Sequence, residues 1–338
     1  MRLCTSNEQQ QFAASMHEML ADANTPAVIR AWGEGRHEPG HKLLRQLADL
    51  GVPGLLVSEK YDGVGAECAD AVVAMETLGY HAVPGPIVES AAVVPTLLQA
   101  LPDESLAGEW LPKLASGQAL ATVLAPPEVP YALDADVTHL ALGLRDNAVE
   151  RLDRVGGEHI SSVDPARRLF AAHPGYPEVL FDGAVSGAIM AAFDTGALAA
   201  AAQLHGAGRR LLDTATDYAK QREQYGKPIG QYQAIKHMLA DVAAQLEMSR
   251  PLLYGAAVAI DQQSEGVARD VSAAKAAAGK AAYLAARTAL QVHGAIAYTA
   301  EHDVGLWLTK VRALVGVWGS GAWHRRRVLN AVAGRREA

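Results

Sequence analysis

The chain has 338 residues, half of them hydrophobic and a fifth charged, with 30 basic against 37 acidic side chains and a formal charge of −7. Such a length gives ample core for one large domain or two to three smaller ones. The acidic balance argues against a nucleic-acid binder, which would carry a basic face. Two cysteines, Cys4 and Cys68, are too few for a disulfide framework and fit a reducing, cytoplasmic setting. The first residues lack a secretory apolar core, and no apolar run of about 18 residues predicts a membrane span.

Residues 1–118 read as a helical domain. In "HKLLRQLADLGVPGLLV", Leu43, Leu44, Leu47 and Leu50 recur at helical spacing before Gly51 and Pro53 stop the pattern. A loop, "SEKYDGVGAE", leads to a second helix, "CADAVVAMETLGY", and "GEWLPKLASG" gives a shorter one. Residues 119–190 change to short apolar runs, "ALATVLA", "VTHLALGL" and "PEVLFDGAVSG", separated by Pro, Gly and Asp, which is strand-and-turn material. At about 70 residues this middle β domain is small.

Residues 191–338 return to helix and are rich in Ala. Four segments are predicted, at about 195–224, 232–263, 265–292 and 302–331, with a kink near Pro251. Helices of that length pack as an antiparallel four-helix bundle. The fold class is therefore α+β, mostly α, in three parts: 1–118, 119–190 and 191–338.

Two motifs lie at helix ends. In "REQYGKPIGQYQA" (222–234), Arg222 ahead of Gly226 reads as a cation and a glycine cap closing a helix. In "QVHGAIAYTAEHD" (291–303), Gly294 reads as another cap, with Gln291 and His293 facing solvent and Glu301 and Asp303 as helix-start acids. The run Arg325–Arg326–Arg327 reads as a solvated helix face. His37 and His41 are four residues apart, but Pro39 and Gly40 between them argue against a helical metal pair. "GVGAEC" (63–68) lacks the third glycine and the strand–helix context of a dinucleotide fingerprint.

Taken together, "SEKYDGVG", "RxQYG" from Arg222 and "QVHG" from Gln291 resemble the acyl-CoA dehydrogenase family, in order and across nearly the whole chain. "DPARRL" and "FDGAVSG" are similar to family sequences as well. The resemblance implies FAD at a subunit interface. Arg222 would pair with the diphosphate of a neighbouring subunit's FAD, a task suited to a planar guanidinium. Gln224, Tyr225 and Gly226 would line the adenosine side, with Tyr232 and Gln233 nearby. Gln291, His293 and Gly294 would meet the same dinucleotide. Where the family has two glycines, this chain has Gly294–Ala295.

The family's chemistry needs a carboxylate beside the acyl thioester. In relatives it comes from a C-terminal loop resembling "YEGT" or from the start of the first long C-terminal helix. Here Trp318 of "VWGSG" stands at the first position and Gly196 of "FDTGALAA" at the second, with Ala197 where an arginine often follows. Asp194, close by, reads as a helix N-cap. The stretch matching "TEPxAGSD", which holds the flavin in relatives, is "APPEVPYA" (125–132), without its hydroxyls and glycine, and no Trp occurs between Trp110 and Trp307.

The resemblance is therefore to the base-lacking subunit of heteromeric α2β2 members of actinobacteria, some of which act on CoA thioesters of steroid side chains. It implies a paralogous catalytic subunit, an acyl-CoA substrate and an electron-transfer flavoprotein, with Trp318 and Trp323 filling space or packing on a partner. Two alternatives stay open: a homomeric flavoenzyme with its base displaced to Asp194 or another acid, and a structural or regulatory homologue without flavin.

Overall fold

Capping signals set the first helices. The computed structural model describes residues 5–152, 159–171 and 177–334; Cys4 lies outside them. Ser6 Oγ accepts from the Gln9 amide and Gln9 Oε1 accepts from the Ser6 amide, a capping box that opens α1 (Asn7–Asp22). α2 (Thr25–Gly33) leads to α3 (Glu38–Asp49), whose Leu43 and Leu47 are buried on one face as the spacing predicts, with Gly51 left-handed beyond its end. α4 (Cys68–Tyr80), α5 (Val94–Ala100) and α6 (Ser105–Ala115) complete this part, and Glu89–Val93 form a π-helical turn before α5.

The sheet follows. β1 (Ala121–Leu124), β3 (Leu140–Arg145), β4 (Ala148–Arg151) and β6 (Glu178–Asp182) lie in the order β1-β3-β4-β6, with β1 parallel to β3 and the other pairs antiparallel. β2 (Ala132–Leu133) pairs with β5 (Leu169–Phe170). All four β1 residues are buried. Ser90 of the π turn secures that edge, its Oγ accepting from Ala121 N at 2.8 Å and donating to Ala121 O at 3.1 Å.

α7 (Ser186–Gln221) begins about nine residues earlier than the Ala-rich pattern suggests; its first turns, with Ala188, Ala192 and Phe193 buried, overlap the run "PEVLFDGAVSG" that reads as strand and turn. Its most apolar window is 78% buried inside the protein, so that hydropathy serves the core. α8 (Gln233–Asp261) stays helical through Pro251, and α9 (Val267–His293) follows. The fourth predicted segment is two helices, α10 (Val304–Leu314) and α11 (Gly321–Val332). Left-handed Trp318 (φ 54°) and Gly319 (φ 94°) lie in the break between them.

Small residues let these helices approach closely. A Cβ at Gly79 of α4 would lie 2.1 Å from Gln203 O of α7, and one at Gly206 1.8 Å from Glu76 O. The N-terminal helices thus meet the bundle backbone to backbone, which only glycine allows at these two points.

Candidate functional site

Two helix ends form one surface. Arg222 caps α7, its N–H donating to Tyr218 O and its carbonyl accepting from Ile229 N–H, both at 2.8 Å. The chain then turns in a hairpin, β7 (Glu223–Gln224) against β8 (Lys227–Pro228). Its two-residue turn is Tyr225–Gly226, both left-handed at φ 52° and 79°. Gly226 therefore shapes a hairpin and not the helix cap that its spacing suggests. Tyr232 Oη donates to Gln224 O at 3.0 Å, fastening the hairpin to the start of α8, and Gln233 is that helix's first residue.

Arg222, Gln224, Gly226 and Gln233 are exposed, and Tyr225 is 95% exposed. Among the described residues no carboxylate lies within 4 Å of Arg222. An exposed tyrosine in the left-handed region costs roughly 1–2 kcal/mol that glycine would avoid, and at 95% exposure the ring has little contact with the described residues to offset it. Such strain points to a ligand or partner contact.

At the end of α9, Gly294 N–H donates to Leu290 O, and Gly294 (φ 66°) has open space where a Cβ would stand. A cavity of about 330 Å³ lies beside it, lined by Arg287, Leu290, Gln291, Gly294, Ala295 and Tyr298. His293 does not reach it. The ring is 4% exposed, stacks on Tyr218 at 4.4 Å, and has Nδ1 2.8 Å from Ala289 O. Burial pushes its pKa down. The ring does not face solvent as its spacing suggests: it joins the last turns of α7 and α9 behind the surface, with Nε2 buried and without a hydrogen-bond partner among the described residues. Side chains that are exposed, polar and cationic, with glycine backbone open to close approach, fit an anionic dinucleotide.

Trp318 and Gly196 meet in the core. Trp318 is fully buried, with Phe193 edge-on at 5.7 Å. A Cβ built on Gly196 would lie 2.8 Å from Trp318 Cδ2 and 2.8 Å from Val93 Cγ2. Trp318 and Gly196, the two positions that the resemblance aligns with a catalytic base, therefore lie in direct contact. The loop that carries Trp318 is pinned from below. Buried Lys275 of α9 donates to Leu314 O at 3.2 Å, with Val315 O and Gly319 O at 3.5 Å. His324 lies with Nε2 2.8 Å from Trp318 O and Nδ1 3.0 Å from Ser272 Oγ. Burial, and then the charge of Arg167, pushes Lys275 down to about 7; burial, and then Lys275, pushes His324 down to about 4.

Asp194 is not an N-cap. It lies in the third turn of α7, buried, and forms a bidentate ion pair with Arg327 of α11, Nη2 standing 3.2 Å from Oδ2. Arg327 is correspondingly buried, so the arginine run is a solvated face only at Arg325 and Arg326. Asp303, at the start of α10, pairs with Arg30 at 2.7 Å. Glu89 was invisible as a site residue. It is buried beside the Trp318 indole, and burial pushes its carboxyl up against the opposing pull of Arg167. Its isolated position in an apolar run gave no signal.

The sheet loop offers little to a flavin. Ala125 and Val129 exchange both backbone hydrogen bonds at 2.8 Å, and Pro126 and Pro127 have no N–H. Among the described residues no cluster of three metal-ligating side chains occurs.

Residues 6–118 match the model of the acyl-CoA dehydrogenase N-terminal domain, and residues 186–333 that of the acyl-CoA dehydrogenase C-terminal domain. The chain belongs to the acyl-CoA dehydrogenase family. Between the two matched regions lies the sheet. Acyl-CoA dehydrogenase IpdE2 of Mycobacterium tuberculosis is 30% identical over 305 residues, 90% of each chain. Among solved structures, the ChsE4-ChsE5 complex of Mycobacterium tuberculosis superposes with a TM-score of 0.87 at 20% identity, covering 100% of both chains. A chain of the Tcur3481-Tcur3483 steroid acyl-CoA dehydrogenase gives 0.83 at 18% identity, covering 97% of this chain and 98% of that one. As a family member the chain has an acyl-CoA dehydrogenase fold and an ancestry of oxidation at CH–CH bonds.

Proposed function

We propose that this chain is the base-lacking subunit of a heteromeric FAD-dependent acyl-CoA dehydrogenase and completes the flavin site of a paralogous, base-bearing partner. The observation that carries this reading is Trp318 lying on Gly196, which removes both base positions and the space between them. Asp194 is no substitute, because Arg327 engages both of its oxygens in the core. Glu89 is enclosed behind the same indole.

In the complete pair, bound FAD supplies the hydride acceptor for α,β-dehydrogenation of an acyl-CoA thioester. This chain's residues bind and orient. Arg222 extends from the end of α7 to donate in parallel to diphosphate oxygens. Gln224, Tyr225, Gly226, Tyr232 and Gln233 form the adenosine side, and Gln291 and Gly294 approach from α9. The exposure of this whole surface supports the role. The partner contributes the base and the contacts to the flavin ring, and electrons leave to an electron-transfer flavoprotein. Likeness to a steroid acyl-CoA dehydrogenase and to the two-chain ChsE4-ChsE5 complex favours a steroid-derived acyl group and a mixed oligomer.

Arg222→Ala in the co-expressed complex tests the reading. Loss of flavin from an otherwise assembled complex is the expected result; stoichiometric flavin in that variant contradicts it.

A further inference from the structure

Building on the shared flavin site, we propose that Arg287 is a second guanidinium for the dinucleotide's diphosphate, reaching it from α9 while Arg222 reaches it from α7.

The placement follows from helix geometry. Arg287 and Gln291 are four residues apart on α9, so they share one face. Both line the cavity of about 330 Å³ that opens beside Gly294. Arg287 is exposed, and among the described residues no carboxylate lies within 4 Å of it. No acidic side chain lines that cavity.

Electrostatics gives it a task. The surface is built on the C-terminal ends of two long helices, α7 at Gln221 and α9 at His293. A helix C-terminus carries about half a negative charge, so each end repels an anion placed against it. The N-terminal end of α8 at Gln233 adjoins the α7 end and offsets part of its charge, so a diphosphate between the α7 and α9 ends draws on a cation at each, and most of all at α9. Arg222 is the one at α7. The last turn of α9 holds only buried His293, whose burial disfavours its charged form. Among the described residues, Arg287, less than two turns back on the exposed face, is the only cation lining the cavity at that end. Lys227 belongs to the α7 end of the surface, its ammonium lying 4.4 Å from the centre of the Tyr232 ring. The partner of Arg287 is thus the phosphate portion of the ligand, with Tyr298 and Ala295 forming the apolar wall of the same cavity.

The test uses the complex of this chain with its paralogous subunit, stripped of flavin and titrated with FAD by the quenching of flavin fluorescence. Arg287→Ala, Arg287→Lys and Arg222→Ala are compared, with the assembly mass measured for each. Arg287 is exposed, so its variants are expected to fold and assemble. Loss of one charge-assisted contact predicts FAD affinity about tenfold or more weaker for Arg287→Ala. The salt dependence should fall with it, and Arg287→Lys should recover part of the loss. Unchanged affinity and salt dependence in Arg287→Ala, alongside flavin loss in Arg222→Ala, overturns the role of Arg287 and leaves the shared site standing. Unchanged affinity in both variants overturns the shared site itself.

Discussion

The indole of Trp318 lies against Gly196 so closely that a single methyl at Gly196 would stand 2.8 Å from the ring. Gly196 belongs to α7 and Trp318 to the break between α10 and α11, 122 residues later in the chain. Their contact predicts strong coupling. Gly196→Ala overpacks the site and should cost about 1–3 kcal/mol. Trp318→Ala empties it and should cost about 3–5 kcal/mol. Combined, the two changes should cost less than their sum, by a coupling of about 0.5–3 kcal/mol in a chemical-denaturation cycle. Strict additivity would mean that the contact is absent in solution.

Asp194 and Arg327 join α7 to α11 across the core behind this pair. Removing one member leaves the other charged and buried. Arg327→Met should destabilise the chain by about 3–5 kcal/mol, whereas the paired change Asp194→Leu with Arg327→Met should recover most of that. If Asp194 served as a displaced base, Asp194→Asn would abolish turnover of the complex; the buried ion pair predicts that turnover persists wherever that variant still assembles.

His324 makes the Trp318 loop sensitive to acid. Burial, and secondarily the charge of Lys275, lowers its folded pKa to about 4 against an unfolded value near 6.5. The folded state therefore binds fewer protons in that interval. Its stabilising contribution is fully present above about pH 6.5 and is lost as the pH falls through about 4. Tryptophan fluorescence should report the loop loosening over this window, and His324→Gln should weaken that dependence. A transition of unchanged midpoint and slope in His324→Gln would assign the acid response to other groups.

Tyr225 should separate folding from assembly. Replacing it with Gly relieves a left-handed tyrosine (φ 52°) that is 95% exposed in the lone chain. The isolated chain should gain up to about 1 kcal/mol, offset in part by the greater freedom of glycine when unfolded. The complex should lose flavin affinity. Gain in the first without loss in the second would leave Tyr225 without a role at the interface.

Periodicity made the long helices legible, since Leu43 and Leu47 or the Ala-rich faces of α8 and α9 bury where the spacing puts them. It failed where backbone conformation was decided by something other than apolar period. The start of α7 at Ser186 falls at the close of a strand-like run that ends in Gly187, and the break at 315–320 is held by Lys275 binding carbonyls 39 to 44 residues away. Spacing alone also misread Asp194 and Arg327, which look like an N-cap and a solvated cation until the fold brings them together. "REQYG" and "QVHG" were legible as motifs because their side chains remain on the surface, with His293 the exception. Glu89, Lys275 and His324 were not, because Glu89 and Lys275 are lone polar residues in apolar helices, His324 heads a run of arginines, and each resembles an ordinary exposed position until burial is known.

Flavin shared by a pair of unlike chains is directly measurable. Flavin absorbance and solution mass should be measured for this chain purified alone, and again after co-expression with a base-bearing paralogue. The account predicts a colourless chain alone and a yellow mixed oligomer carrying one FAD per pair of unlike chains. A yellow preparation of the lone chain, with one FAD per chain, would contradict it.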